Sequence, residues 1–319
     1  MNQPAAPDPS APRLADRLRP PLARALLGKP DAIDALLTTL FAGGHLLLED
    51  VPGVGKTMLA KALARCLDLS FHRIQFTADL LPADLLGVAV LQPEKGTFDW
   101  KPGPIFAHVV LADELNRTPP RTQSSLLEAL EDGRVSVDGA VHPLPQPFFV
   151  VATQNPVEFA GTYPLPESEL DRFLLCTSIG HPDRATERRI VEAHRSGAPI
   201  DALQPVASGA DVLAERAAVA KVRVESSVLE YLLDIVEATR RDGRIRLGAS
   251  PRAAIAFERA ARARARVRGR DFVVPEDVKE LAIPVLAHRI VVSGAGGDGG
   301  RAHAARVLAE LLERLAVPA

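Results

Sequence analysis

Residues suited to phosphate chemistry stand near the start of the chain. Gly53-Val-Gly55-Lys56-Thr57 follows an apolar run and precedes a helical pattern. Glycines let the backbone wrap a phosphate with its N–H groups, and a helix N-terminus adds a favourable dipole. In such a P-loop, Lys56 is expected at the β- and γ-phosphates of ATP and the Thr57 hydroxyl on Mg²⁺. The residues predicted to contact the nucleotide are Pro52, Gly53, Val54, Gly55, Lys56, Thr57 and Met58.

One position departs from the usual P-loop pattern. Asp50 occupies the place of the first glycine. Aspartate tolerates left-handed backbone better than most residues, so we expect the turn to form. A chance Gly-x-Gly-Lys-Thr at the start of a helix is the alternative interpretation.

Two adjacent carboxylates provide a second motif. Asp113 and Glu114 end the apolar run Val109-Val-Leu-Ala112, where neighbouring charges would be costly without a cation and water. Asp113 is therefore predicted to hold Mg²⁺ through water, and Glu114 to orient or deprotonate the attacking water. The alternative is that the pair caps the next helix.

Three further residues complete the candidate catalytic set. Asn155 follows the next apolar run, where a neutral amide can hydrogen-bond the γ-phosphate or the water without adding charge. Arg252 follows Ser250-Pro251, an expected N-cap and first helical residue, so its cation opposes the helix dipole unless an anion binds. Arg172 lies in Asp171-Arg172-Phe173. A turn at Asn155 and solvated surface arginines are the alternatives.

The elements that must position these residues form two regions. Apolar runs at 45–49, 108–112 and 148–152 alternate with helical patterns, which predicts an α/β fold with a parallel sheet covered on both faces. Helical patterns dominate the second half, at Ser227–Thr239, Pro251–Val267 and Pro275–His288. We predict a disordered tail over 1–13, an α/β core over 14–182, a linker helix and loop over 183–205 and an all-α domain over 206–319.

Composition restricts the environment and the partners. The net charge of −2 offers no general attraction to nucleic acid or anionic membrane, and no apolar stretch reaches spanning length. The two cysteines are far apart in the sequence, and the N-terminal residues show no signal-peptide pattern. Both observations favour a reducing, cytoplasmic setting. Six arginines between Arg259 and Arg270 are interpreted as a solvated helix face rather than a nucleic-acid site.

Together these motifs resemble the MoxR-type AAA+ ATPases of the helix-2-insert group, over nearly the whole chain from Leu14 to Leu315. The segments that carry the resemblance are Glu49-Asp-Val-Pro-Gly-Val-Gly-Lys-Thr57, Phe76-Thr-Ala-Asp-Leu-Leu-Pro-Ala-Asp84, Lys101-Pro-Gly-Pro-Ile-Phe106, Ala112-Asp-Glu-Leu-Asn-Arg-Thr-Pro-Pro120, Glu169-Leu-Asp-Arg-Phe173 and Gly248-Ala-Ser-Pro-Arg252. An aspartate at the position of the first P-loop glycine, as at Asp50, is also usual in this family.

The resemblance implies roles for several residues. Asn155 would be sensor 1, Arg172 an arginine finger acting on a neighbouring subunit, and Arg252 sensor 2, in cis or in trans. Gly87–Gly103 would be the insert in helix 2, with Trp100 either at a substrate-facing tip or in the core. Residues 134–141 would form the hairpin before sensor 1, which Asp138-Gly139 also indicates as a turn.

The resemblance also implies a function. Residues 14–182 would be the AAA+ core and 206–319 the lid of a chaperone-like remodelling ATPase, assembled as a hexameric ring and partnered by von Willebrand factor A-domain proteins. Two alternatives stay open: a nucleic-acid motor or clamp loader of the same superfamily, and a nucleotide-gated scaffold similar to the magnesium-chelatase ATPase subunit. An intact Glu114 speaks against a role in binding alone.

Overall fold

The structure is a computed structural model that describes residues 12–94, 96–155, 161–195, 197, 199–294 and 299–318. The predicted tail over 1–13 therefore lies outside it, except for residues 12 and 13. The helices are α1 Leu14–Ala25, α2 Pro30–Phe41, α3 Lys56–Cys66, α4 Pro82–Leu86, α5 Pro120–Asp132, α6 Glu167–Leu170, α7 Arg184–His194, α8 Gly209–Val219, α9 Ser226–Arg241, α10 Pro251–Val267, α11 Pro275–Leu286 and α12 Gly299–Arg314. The strands are β1 Leu46–Glu49, β2 Phe71–Gln75, β3 Gly87–Gln92, β4 Thr97–Pro102, β5 Val109–Asp113, β6 Arg134–Val137, β7 Ala140–Pro143, β8 Phe149–Gln154, β9 Leu175–Thr177, β10 Ile245–Leu247 and β11 Val291–Val292.

A parallel sheet with the strand order β2-β5-β8-β1-β9 forms the centre of the fold. Successive side chains of a strand point to opposite faces, so strands buried on both sides must be apolar throughout. Leu46 and Leu48 pack with α1, α2 and α3 on one face, whereas Leu47 packs with Leu126 and Leu127 of α5 on the other. The predicted α/β class is confirmed.

The helices after β9 pack against the core. Helix α10 contacts α2, α9 and α11, and a short antiparallel ribbon of β10 and β11 accompanies them. One apolar cluster runs from α1, α2 and α3 into α9, α10 and α11. This continuous cluster shows no break between the predicted core and the predicted helical domain, so the domain limits at residues 182 and 206 stay a prediction.

Two hairpins project from the core. Strands β6 and β7 are joined at Asp138 and Gly139, whose φ angles of +50° and +79° suit a tight hairpin turn. Strands β3 and β4 form the hairpin of the insert. Its base requires glycine, because a Cβ on Gly87 would lie 2.2 Å from the Lys101 carbonyl oxygen, and one on Gly103 equally close to that of Leu85.

The arginine-rich end of α10 is solvated only in part. Arg259 and Arg268 are exposed, as predicted, but other arginines of the stretch are paired between helices. Arg264 is buried, and Arg266 lies 2.7 Å from Glu215 of α8. Arg270 pairs with Asp277 of α11 at 2.6 Å. These arginines neutralise carboxylates between packed helices, which takes their charge away from any nucleic acid.

Candidate functional site

The P-loop connects β1 to α3 and adopts its turn through two glycines. Gly53 and Gly55 have φ angles of +87° and +103°, which side chains disfavour, and a Cβ on Gly55 would also lie 2.8 Å from Leu26 Cδ1. The turn forms as expected with Asp50 in place of the first glycine, but Asp50 is not among the residues with positive φ, so the tolerance of aspartate for left-handed backbone is not the reason.

Asp50 instead ties the loop to another part of the core. Its carboxylate accepts hydrogen bonds from the backbone N–H groups of Ile179 and Gly180, the latter at 2.9 Å. These residues follow β9 and lead towards α7. The aspartate therefore fixes the start of the P-loop relative to the segment that continues into the linker helix.

A cleft of about 230 Å³ lies beside the P-loop. We call it the nucleotide cleft. Four of the residues that the sequence predicts to contact the nucleotide line it, and its apolar walls suit an adenine ring. They are Gly53, Val54, Gly55 and Met58. Leu26 and Leu27, between α1 and α2, and Ile190 of α7 form the opposite wall, for which no sequence motif provides a signal.

Lys56 lies at the centre of the acidic residues. Its Nζ donates a hydrogen bond of 2.7 Å to the Asp50 carbonyl. Burial lowers the pKa of Lys56, and the charges of Asp113, Asp50 and Glu114, in that order of strength, oppose this shift. The P-loop lysine and the two carboxylates of Asp113 and Glu114 thus share one site, at the carboxyl ends of β1 and β5.

Asp113 is nearly buried and its charge is balanced. Arg73 of β2 donates to Oδ2 from Nη2 at 2.6 Å and from Nε at 3.1 Å, and the Thr153 hydroxyl donates to Oδ1 at 2.7 Å. A carboxylate has about four lone-pair sites, so Oδ1 can still accept from water on Mg²⁺. Asp113 and Thr57, a carboxylate and a hydroxyl, are oxygen donors of the kind that Mg²⁺ prefers when phosphate and water complete its shell.

The groups that hold Glu114 escaped sequence-based prediction. Its backbone is left-handed, with φ of +58°, and its N–H donates to the Thr153 hydroxyl at 2.8 Å. Gln75 of β2 donates to its carboxylate at 2.8 Å, and Arg117 Nε lies 3.0 Å from it. Asn155 is buried at the end of β8, where its carbonyl accepts from Asn116 at 3.4 Å.

Arg172 and Arg252 meet elsewhere, in a groove of about 240 Å³ that we call the arginine groove. Neither arginine is among the described residues that line the nucleotide cleft. The groove includes Gly44 and His45, which precede β1, whereas the P-loop follows it. Four strand residues at about 3.3 Å each separate the two sites.

The predicted start of α10 is confirmed. The Ser250 hydroxyl accepts from the Ala253 N–H at 3.1 Å, so Arg252 lies in the first turn, where its charge opposes the helix dipole. Two carboxylates compensate for this: Glu131 Oε1 lies 3.1 Å from Arg252 Nη1, and Asp171 Oδ2 lies 3.6 Å from its Nε.

Two regions of the chain match known families. Residues 45–175 match the ATPase family associated with various cellular activities (AAA), and residues 237–310 match an AAA lid domain. A protein of Cytophaga hutchinsonii, whose crystal structure was solved under the provisional description of an ATPase, superposes with a TM-score of 0.85. It is 37% identical, and the match covers 95% of this chain and 94% of that one. The fold and the P-loop site therefore define a protein of the AAA+ class.

Full-length relatives narrow the class further. YeaC of Bacillus subtilis, which has no assigned function, is 46% identical over 92% of each chain. Chaperone MoxR1 of Mycobacterium tuberculosis is 40% identical over 85% of this chain and 74% of its own, and MoxR of Methylorubrum extorquens is 33% identical over 86% and 87%. The chain belongs to the MoxR family of AAA+ ATPases.

Two surveys of the described residues add to this picture. No helix in that part of the chain is long and apolar enough to cross a membrane. Nor does that part contain a group of three or more His, Cys, Asp or Glu side chains placed to hold a metal ion.

Proposed function

We propose that this chain hydrolyses ATP with Mg²⁺ and uses the turnover to remodel, assemble or activate a partner protein complex. The observation that carries the proposal is that Lys56, which ends the loop after β1, and Asp113 and Glu114, at the end of β5, lie at the same edge of the parallel sheet and interact electrostatically. The chaperone named among its relatives supports the chaperone-like role.

Each residue has a distinct part in this reaction. The P-loop N–H groups and Lys56 hold the phosphates, while Thr57 and Asp113 hold Mg²⁺, which offsets the negative charge of the phosphate oxygens. Glu114 takes the proton of the attacking water, and Gln75 and Arg117 keep its carboxylate in place. Asn155, at the end of the neighbouring strand, orients the water or the γ-phosphate.

Arg172 and Arg252 act on a second copy of the chain. They share one groove at the amino end of β1, away from the P-loop of their own chain. An arginine there can reach a nucleotide only if another subunit brings its own P-loop to the groove. This favours action in trans for both arginines and an oligomer, which we propose to be a hexameric ring. A protein with a von Willebrand factor A domain is the proposed partner.

Mixed assemblies test the proposal. Lys56→Ala should lose nucleotide binding, whereas Arg172→Ala should bind ATP normally and lose turnover by about 10³-fold or more, the value of an arginine finger supplied in trans. Mixing the two variants should restore activity, because the intact arginines of Lys56→Ala then face the intact P-loop of Arg172→Ala. Mixed particles that form but stay inactive would refute action in trans.

A further inference from the structure

The arginine groove concentrates positive charge. Arg172, Arg252, Arg259 and Arg289 line it, against the two carboxylates of Glu131 and Asp171. Such a cluster keeps a defined geometry only where carboxylates separate the guanidinium groups.

Asp171 is largely committed to Arg289. Arg289 is 6% exposed, and its Nε donates to Asp171 Oδ1 at 2.6 Å. Its other N–H groups donate to backbone carbonyls, including that of Phe173 at 2.7 Å. The Asp171–Arg289 pair therefore stabilises the backbone before β9. Asp171 lies farther from Arg252, at 3.6 Å.

Glu131 is the carboxylate that the two predicted catalytic arginines share. It lies in the last turn of α5, with Oε2 at 3.3 Å from Arg172 Nε and Oε1 at 3.1 Å from Arg252 Nη1. Each oxygen thus faces a different guanidinium group. The contact to Glu131 is the ion pair that the described part of the chain provides for Arg172.

We propose that Glu131 is a positioning residue that holds Arg172 and Arg252 together for the phosphates of ATP bound to a second copy of this chain. The inference rests on the proposed function, in which both arginines act in trans. A guanidinium group has five N–H donors, so Arg172, held at Nε, keeps both terminal nitrogens for phosphate. The contact at Nε orients the arginine without using the N–H groups of its terminal nitrogens.

The opposite role, in which Glu131 sequesters the arginines, makes the opposite prediction. Removing a sequestering carboxylate would raise turnover, because phosphate would no longer compete with it. Removing a positioning carboxylate lowers turnover, because the two cations repel each other and lose their shared geometry. Misplacing a catalytic group by about 1 Å can cost on the order of 100-fold in rate.

The first experiment compares Glu131→Gln with Glu128→Gln, an exposed glutamate one turn earlier on α5. Glu131→Gln keeps the shape and loses the charge, and it should lower kcat by about 10- to 100-fold. The affinity for ATP, the melting temperature and the assembly size should match those of Glu128→Gln. Glu131→Asp, which keeps the charge on a shorter stem, should recover part of kcat. Unchanged or raised turnover in Glu131→Gln, or a drop explained by lost assembly, would overturn the proposal.

A mixing experiment shows where the defect acts. Glu131→Gln keeps its own P-loop, so Lys56→Ala subunits, with their arginines intact, should restore its turnover at mixed interfaces. A defect that stays within each subunit would not be rescued, and that result would overturn the proposal. The mixture of Arg172→Ala with Lys56→Ala separates the two hypotheses: if it recovers while Glu131→Gln does not, only the role of Glu131 fails. If neither recovers in proven mixed particles, the proposed action in trans fails first.

Discussion

The side-chain amide of Gln75 donates a hydrogen bond of 2.8 Å to the carboxylate of Glu114. Gln75 is the last residue of β2, and Glu114 directly follows the neighbouring strand β5. Glu114 also holds a left-handed backbone, a conformation that costs about 1–3 kcal/mol and persists where the surroundings enforce it. Hydrogen bonds therefore hold both its backbone and its side chain.

Glu114→Gln should retain ATP binding and lose turnover. The amide preserves the shape of the site and the contacts of Lys56 and Asp113, but it cannot accept the proton of the attacking water. General-base catalysis contributes about 10²–10⁴-fold, so the single-turnover hydrolysis rate should fall by at least 100-fold. Binding of a fluorescent ATP analogue checks the site, and Glu128→Gln is the control. Wild-type hydrolysis rates in Glu114→Gln would remove this carboxylate from the mechanism.

Asp50→Gly should destabilise the protein, although it restores the usual P-loop pattern. The change leaves the buried N–H groups of Ile179 and Gly180 without their acceptor, which costs about 1–3 kcal/mol. Asp50→Asn keeps one acceptor oxygen, so its stability should lie between those of the wild type and Asp50→Gly. Thermal unfolding measures the series, at about 2–4 °C for each kcal/mol. A melting temperature of Asp50→Gly equal to the wild-type value would contradict this account of Asp50.

Acid should weaken the fold through His45. Its Nδ1 accepts from the Val150 N–H at 3.1 Å, and its Nε2–H donates to the Leu130 carbonyl at 3.1 Å. The contact at Nδ1 needs the neutral ring, because a protonated Nδ1 cannot accept a hydrogen bond. Burial lowers the pKa of His45 to about 3, whereas an unfolded chain keeps the ordinary value of 6.5. Between these values the unfolded state binds a proton that the folded state does not. The free energy of unfolding therefore decreases as the pH is lowered. This group alone accounts for a loss of about 2 kcal/mol between neutral pH and pH 5.

His45→Gln separates this contribution from the rest. The variant should be less stable than the wild type at pH 7.5, because it loses the paired ring contacts. It should then lose less stability on transfer to pH 5, because glutamine does not titrate. Urea unfolding at both pH values measures the difference. Equal losses in the two proteins would show that His45 does not control the acid sensitivity.

The sequence predicts the parts of this protein whose signals are local. Apolar runs predict the central strands, Gly53 to Thr57 predict the P-loop, and Asp138-Gly139 predicts a hairpin. The residues that hold Glu114 carry no such signal. Gln75 and Thr153 contact it only because the strand order places β2 and β8 on either side of β5.

The same limit applies to residues that meet across long stretches of chain. Glu131 and Arg252 come together only when α10 packs against the core. The arginine pattern of α10 suggested solvation, yet Arg264 is buried against Asp34, at 3.7 Å, on another helix. The roles of Asn155, Arg172 and Arg252 stay predictions until the variants are measured.

The two aromatic residues of the insert occupy different environments. The ring of Trp100 stacks on His142 of β7, with centroids 3.8 Å apart, and meets Phe106 edge-on at 4.8 Å. Trp100 therefore joins the insert to the neighbouring hairpin. Phe98 is 68% exposed and stands opposite Leu91, which is 50% exposed, so an apolar pair faces solvent near the tip.

Single substitutions should therefore separate recognition from stability. Trp100→Ala should lower the melting temperature by several degrees, because it removes two aromatic contacts worth about 0.5–1.5 kcal/mol each beyond the buried area. Trp100→Phe keeps a stacking ring, so its melting temperature should be close to the wild-type value.

Phe98→Ala should leave the melting temperature and basal hydrolysis unchanged, because its side chain contributes little to the core. In a Glu114→Gln background it should reduce the capture of partner protein, since exposed apolar side chains on a projecting hairpin are suited to binding. A Phe98→Ala protein that melts early and hydrolyses slowly would show that this residue has a structural role instead.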